Sequence, residues 1–343
     1  MPILRPPRTL SGGRFDRMRA VVLDSYGGPE VLRLREVPDP VIGPDEVLVD
    51  VIASGVNRAD VLQRLGLYPY PGQPPQYDIP GLEFAGHIVA IGDRVGAVTV
   101  GDAVMGIVTG GGYASRVAVH ERQVMVVPAS TPLADAAAIP EVWITAFDAL
   151  VVQGGLRPGD TALVHAGASG VGTAAIQLAK AAGARVIVTT STHKVDRCLA
   201  LGADVAVDYT RDDFVAACRA ATDGRGVDVI VDVIGGEYLA RNVDAAASRG
   251  RIVQVGVLES ARASLNLGAL MGKRLTLMGT VLRPRPIDEK IAITQRFARE
   301  VLPGFASGVF RPVIDARFSL EDAPAAHAML EANATFGKIV LDV

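Results

Sequence analysis

The residues with the most chemical content form a glycine-rich turn. His165-Ala166-Gly167-Ala168-Ser169-Gly170-Val171-Gly172 follows an apolar strand pattern and opens a helical pattern that runs from Thr173 to Ala181. In that setting a glycine turn lets backbone N–H groups approach a pyrophosphate, and the helix N-terminus adds partial positive charge. Gly167 is expected to allow the tight turn, Ser169 and Gly170 to bring N–H groups to the phosphates, and Gly172 to let the helix pack closely on the sheet. Ser169 stands where the dehydrogenase pattern G-x-G-x-x-G usually has its second glycine. The dinucleotide reading therefore rests on the strand, turn and helix together rather than on the glycines alone.

An NAD site would set an acidic residue about 20 positions further on, at the end of the second strand, to accept from the ribose 2′-hydroxyl. Here that place reads Thr189-Thr190-Ser191-Thr192-His193-Lys194 and holds no carboxylate. Hydroxyls and an ammonium suit a 2′-phosphate, which brings its own charge and several acceptor oxygens. Tyr209, at the end of the third strand, is in position to join them. NADPH is thus the expected cofactor; the plainer alternative makes Lys194 a solvated first-turn residue.

Other reactive side chains are sparse. His87, His120, His165, His193 and His327 show no metal-ligand spacing, and His165 reads as a structural residue ending a strand beneath the cofactor. Cys198 and Cys218 fall in helical patterns and read as packing residues. Two cysteines supply neither a four-thiolate site nor a disulfide framework, and such thiol economy suits a reducing, cytoplasmic setting. Glu83 and Glu141 are expected near the cleft without a proton-transfer role, and Trp143, the sole tryptophan, near the domain junction.

Positioning such a turn takes a parallel sheet. From about Pro140 strand patterns at 161–165, 185–189, 205–208, 227–233, 251–255 and 275–279 alternate with helical patterns at 174–181, 195–201, 214–222 and 238–247. That alternation is the signature of a parallel sheet covered on both faces through right-handed crossovers. From Met18 to about Val127 the texture is different: short β-branched runs at 20–23, 31–36, 47–53, 86–91, 103–108 and 115–119, cut by Gly, Pro and Asp turns. It predicts a mostly-β, barrel-like unit. One helix interrupts it, from near Asn57 to a stop at Gly66, and residues 67–80, with Tyr68, Tyr70 and Tyr77 among prolines, form an irregular loop. After Arg283 a helix at 287–301 and strands at 312–318 and 338–343 are expected to return to the first unit.

The domain boundaries read as a flexible extension over 1–17, the β-rich unit over 18–139, the nucleotide-binding unit over 140–283 and the return over 284–343. A chain of 343 residues that is 49% apolar and 21% charged is not a disordered one. No apolar run approaches the roughly 20 residues that cross a bilayer. Lys plus Arg at 34 against Asp plus Glu at 37 gives a net charge of −3 without a basic block, so nucleic acid is not an expected partner.

Three strings carry a resemblance to a known family: Ser54-Gly55-Val56-Asn57-Arg58-Ala59-Asp60, the stretch from Ala136 through Pro140-Glu141-Val142-Trp143 to Phe147, and His165 through Gln177. Over residues 18–343 the chain resembles the zinc-free quinone oxidoreductases of the medium-chain dehydrogenase/reductase superfamily, and most of all the tumour-suppressor-induced quinone oxidoreductase group. The resemblance implies a Rossmann doubly wound parallel sheet plus a GroES-like mostly-β domain, with NADPH in the cleft between them and quinones as acceptors. It implies that Asn57, Tyr68 and Thr145 line the nicotinamide end and that Ser169, Gly170, Val171 and Gly172 hold the pyrophosphate. Ser191, Lys194 and Tyr209 would grip the 2′-phosphate, while Gly256, Leu282, Asn333 and Gly337 complete the groove. A homodimer through edge strands of the nucleotide-binding sheet is implied too. Zinc relatives use a cysteine and a Gly-His-Glu string; here those positions read Asn57 and Gly81-Leu82-Glu83, so no catalytic metal is expected.

Reduction of an activated acceptor is then the natural chemistry, because hydride transfer needs chiefly positioning and exclusion of water. A hydroquinone anion can take its proton from solvent. Two alternatives remain at this stage. An enone or enoyl thioester reductase would use Tyr68, which matches the tyrosine of enoyl thioester reductases in the superfamily, as proton donor. A cofactor-binding protein with vestigial catalysis would use the same cleft for a structural or regulatory role.

Overall fold

The computed structural model describes residues 17–343 except Pro74, so the extension expected over 1–17 lies outside the described residues save for Arg17. The β-rich lobe begins with the antiparallel pair β1 (Arg17–Leu23) and β2 (Leu32–Pro38). It continues with β3 (Glu46–Val56), helix α1 (Arg58–Arg64), β4 (Glu83–Ile91), β5 (Ala103–Ile107), β6 (Arg116–His120) and β7 (Val124–Val126). β3 alternates buried and part-exposed residues along its first half, the period-two pattern of a strand with one face on a core. The described residues of the 67–80 segment form no helix or strand, as its prolines dictate.

Short helices α2 (Leu133–Ala136) and α3 (Pro140–Phe147) and a π-helical turn at Asp148–Gln153 lead into the second lobe. There β8 (Thr161–Val164), α4 (Gly170–Ala181), β9 (Arg185–Thr190), α5 (Val195–Leu201), β10 (Val205–Asp208), α6 (Phe214–Ala221), β11 (Val227–Asp232), α7 (Tyr238–Ala245), β12 (Ala246–Gln254), α8 (Leu267–Lys273) and β13 (Thr276–Gly279) alternate. All six strands pair in parallel, in the order β10-β9-β8-β11-β12-β13. Every residue of the central strand β8 is buried, as expected where helices cover both faces. The order reverses at β8, so the turn after it opens at the switch point where such sheets bind ligands.

The chain then runs through α9 (Ile287–Glu300), α10 (Leu302–Ala306), β14 (Ile314–Ser319), α11 (Ala323–Glu331) and β15 (Lys338–Asp342). β15 inserts between β14 and β3 in a seven-stranded sheet, which carries the chain end back to the first lobe. Several elements exceed the pattern read from sequence. β7, α2, α3, α8, α10 and α11 were not expected, because each is short or embedded in runs without a clean period. Trp143 of α3 packs against Phe305 and Phe310 at ring separations of 4.6 and 5.2 Å, within a core that reaches from β3–β5 to α4 and β8. α3 therefore packs against elements of both lobes.

Candidate active site

The glycine turn joins β8 to the N-terminus of α4. Ser169 caps α4, its Oγ accepting from Gly172 N–H at 3.0 Å, and the first turn carries no acidic residue. The left-handed residue of the turn is Ala166, φ 55°, rather than Gly167. Gly167 is required by a close approach instead, since a Cβ there would stand 2.5 Å from Val188 Cβ in β9. Gly172 packs against the turn, where a Cβ would meet Ala166 O at 2.4 Å. The closing segment seals this corner: Gly337, φ 93°, donates to Ala168 O at 2.8 Å and pairs with Ser169.

Ser191 stands at the N-terminus of a 3-10 turn, Thr192–Lys194, that follows β9, without a side-chain cap bond. Lys194 is only 7% exposed, so it is not the solvated residue of the plainer reading. Its Nζ donates to Asn333 O at 2.6 Å, and burial lowers its pKa. Tyr209 follows β10, half exposed, with its N–H on Thr190 O at 3.1 Å. Asp208 beside it, not among the residues expected at the site, accepts from Thr192 Oγ1 at 2.5 Å and from Thr210 Oγ1 at 2.7 Å. Those bonds to Thr192 and Thr210 hold the Asp208 carboxyl below the usual carboxylate range. Gly256 lies beyond β12 and Leu282, buried, beyond β13, both at the C-terminal edge of the sheet.

At the other end of the cleft the structure assembles a buried polar cluster of which the sequence reading named only part. Asn57 caps α1 through a box with Asp60, its N–H donating to Asp60 Oδ2 at 2.8 Å. Its side chain is used up by the protein: Nδ2 donates to Glu83 Oε1 at 2.8 Å and Oδ1 accepts from Lys338 Nζ at 2.6 Å. Lys338 also reaches Val56 O and Glu83 Oε1, each at 2.7 Å, and the ion pair is almost dry. Glu83 Oε2 takes the N–H of Glu141, 2.8 Å away, at the start of α3. Gly55 is obligatory beneath this network, because a Cβ there would lie 2.2 Å from Glu83 Oε1.

Burial, together with the Glu83 charge, pushes the Glu141 carboxyl up to about 8. Asp60 rises to about 6 for want of solvent, despite the hydrogen bonds it accepts. Tyr113 Oη stands 3.1 Å from both Asp60 Oδ2 and His327 Nε2, and burial holds that imidazole neutral by pulling it down to about 3. Tyr68 is pushed up to about 12 by burial and by Glu141, so it stays a phenol. Thr145, buried, lies one helical turn beyond Glu141 on α3.

Asn57 thus meets Glu83 directly, Tyr68 feels the Glu141 charge and Thr145 shares α3 with Glu141; Gly337 joins the turn at Ala168 and Ser169, whereas Asn333 stands with Lys194 and Arg58. Lys338, Asp60, Tyr113 and Arg283 went unread. The Asn57-x-x-Asp60 spacing is a capping-box signal that would have exposed Asp60, and a lysine heading the apolar strand Lys338-Ile339-Val340-Leu341 was the sign of a buried charge. His165 is enclosed beneath the turn, bonded to Thr189 Oγ1 at 3.0 Å and Asn242 Oδ1 at 2.7 Å.

Comparison with known proteins places this arrangement. Residues 43–129 match the family of the alcohol dehydrogenase GroES-like domain, and residues 170–297 that of zinc-binding dehydrogenases. A quinone oxidoreductase of Pseudomonas aeruginosa is 35% identical, the match covering 92% of this chain and 97% of that one. A mycoketide-CoA synthase of Mycobacterium tuberculosis is 33% identical over 93% of this chain but only 8% of its own length. Among solved structures, an NAD-dependent alcohol dehydrogenase superposes with a TM-score of 0.84 at 33% identity, covering 95% of this chain and all of the other.

A zinc ion does not fit the residues present. Asn57 offers an amide already bonded on both sides, and the Lys338 ammonium occupies Glu83 Oε1 and would repel a second cation. A nicotinamide dinucleotide fits: a glycine turn, a helix N-terminus without acidic residues and the switch point of a parallel sheet supply its phosphate cradle.

Proposed function

Because the chain belongs to the medium-chain dehydrogenase/reductase superfamily of oxidoreductases, we propose that it carries NADPH in the cleft between its lobes and reduces quinones by hydride transfer without a metal ion. The bound dihydronicotinamide supplies the hydride. The chain's own residues bind and orient. Ser169, Gly170, Val171 and Gly172 would hold the pyrophosphate, Ser191, Lys194 and Tyr209 the 2′-phosphate, and Asn57, Tyr68 and Thr145 the nicotinamide end. Gly256, Leu282, Asn333 and Gly337 would close the groove.

The observation that carries the reading is the Lys338 ammonium seated on Glu83 and Asn57. With a fixed organic cation there, the site lacks the Lewis acid that an alcohol needs to shed a hydride, whereas a quinone needs only position and dryness. Lys194 supports NADPH over NADH, because a buried ammonium at the end of β9 awaits an acceptor stronger than the Asn333 carbonyl.

One observation favours a second reading. Tyr68 is kept protonated near neutral pH and lies by Glu141 and Arg283, so it could protonate the α-carbon of an enone or enoyl thioester. β13 ends its sheet unpaired, and Leu267, Met271 and Val281 are exposed beside it, which supports a homodimer through that edge. Cys198 and Cys218, free and buried, suit the cytoplasm. The test is NADPH and NADH consumption with 1,2-naphthoquinone, an enone and an enoyl-CoA, repeated with Tyr68→Phe. Quinone turnover with NADPH that survives the substitution is expected. Turnover of enones alone, lost in Tyr68→Phe, would replace this reading with the second, and tight NADPH binding without turnover would leave a binding protein.

A further inference from the structure

Arg283 reaches from the loop beyond β13 into the β-rich lobe and is 5% exposed. Its Nε donates to Thr109 O at 2.7 Å and its Nη1 to Tyr68 O at 3.1 Å. The guanidinium carbon stands 5.0 Å from the Tyr68 ring centre and 5.1 Å from that of Tyr70. Nη2, by contrast, is buried and has no acceptor among the described residues. A guanidinium is always charged, and a dry charged donor without a partner is costly to maintain, so such an atom calls for an explanation.

The neighbours supply charge but no partner. Lys290 Nζ donates to Thr109 Oγ1 at 3.0 Å, and burial and the Arg283 charge lower its pKa. Glu141 acts on the same corner but is pushed up to about 8, hence mostly neutral at neutral pH. Asp60 and Asp78 act on the two tyrosines while accepting bonds elsewhere, Asp60 from Asn57 N–H and Asp78 from Gln63 Nε2 at 2.6 Å. Among the described residues no carboxylate pairs with Arg283. A side chain is missing at Gly110 too, where a Cβ would lie 3.8 Å from Nη2 and 3.2 Å from Tyr70 Cε2.

We propose that Nη2 of Arg283 is the docking point for the oxygen of the acceptor and a catalytic residue for its reduction. The proposal rests on the quinone reading: a quinone carbonyl accepts from Nη2, and the guanidinium holds the charge that grows on that oxygen. A dihydronicotinamide held in the cleft would supply a hydride from its C–H bond, which would bond to the distal quinone oxygen as the quinone π electrons shift onto the oxygen facing Arg283 and the cofactor is oxidised by two electrons. A proton from solvent would then complete the hydroquinone. Entry asks the half-buried Tyr70 ring to give way, and no hydrogen bond holds its hydroxyl among the described residues.

The test uses a stable catechol, 2,3-dihydroxynaphthalene, as stand-in for the hydroquinone, titrated into the full-length protein loaded with NADP+. On wild type its phenolate absorbance is expected at a lower pH than in free solution. In Arg283→Met that shift is lost and affinity falls about tenfold or more, while NADP+ affinity stays within about twofold; kcat for 1,2-naphthoquinone falls about 10²-fold, the effect of losing one preorganised donor to a developing oxyanion. Should Arg283→Met not fold, Arg283→Lys, which keeps the charge but lacks Nη2, is read by the same criteria. Catechol affinity equal in wild type and variant, or NADP+ and catechol lost together, overturns the proposal. Wild type that binds the catechol through Arg283 yet reduces no quinone refutes the quinone reading and leaves the docking point standing.

Discussion

Replacing Lys338 by methionine tests the centre of the site. Its ammonium is 4% exposed and its partner Glu83 fully buried, 2.7 Å apart. Removing one member of a buried pair costs about 3–5 kcal/mol, because the remaining charge is left in a medium that does not solvate it. Glu83 would keep two donors, Asn57 Nδ2 and Glu141 N–H, each at 2.8 Å. Against that, Val56 O and Asn57 Oδ1 lose their donor as well. A loss of about 3–4 kcal/mol is expected, which at about 2–4 °C per kcal/mol for lobes of this size lowers the melting temperature by about 6–16 °C. The double variant Lys338→Met/Glu83→Gln carries neither charge and should be no less stable than Lys338→Met, so the two effects fall well short of additive. Urea and thermal unfolding of the four proteins measure this. A single-variant loss below about 1 kcal/mol, or strict additivity, would show that the pair does not hold the cluster and would remove the argument against a metal.

Two further outcomes follow from the same geometry. Lys194→Ala should weaken NADPH about ten- to hundredfold, the worth of charge-assisted bonds to a phosphate, and NADH less than threefold; fluorescence titration with both cofactors reads it, and equal losses would return Lys194 to a structural role. Glu141, raised to about 8 from its ordinary 4.5, holds a proton in the folded state that the unfolded chain releases. Wild-type stability should therefore fall as pH climbs from about 4.5 to 8, and Glu141→Gln should lack that fall, so its urea midpoint gains on wild type between pH 5 and pH 9. A constant difference between the two proteins across that range refutes the assignment.

The nucleotide-binding lobe was legible because its signals are local. A β-branched run, a glycine turn and a helical period sit next to one another in the chain, so β8, the turn at 165–172 and α4 were expected almost where they lie. The loop at 67–80 was legible from its prolines, and the return of the chain end from the apolar strand at 338–343. The reason for Gly167 was not, because Val188, the atom group it must clear, is 21 positions away on another strand.

What the sequence by itself determined is the order of most elements, the strand, glycine turn and helix over 161–181, and the residue types available beside that turn. Only the tertiary structure decided that Lys338 closes on Glu83 and Asn57, that Tyr113 bridges Asp60 and His327, and that Arg283 stands between two tyrosines with a donor to spare. The physical reason is that periodicity and turn chemistry act over a few residues, whereas the strength of a charge depends on what surrounds it. In this cluster burial and partners come from segments as far as 282 positions apart, as for Lys338 and Val56, and no local pattern records them.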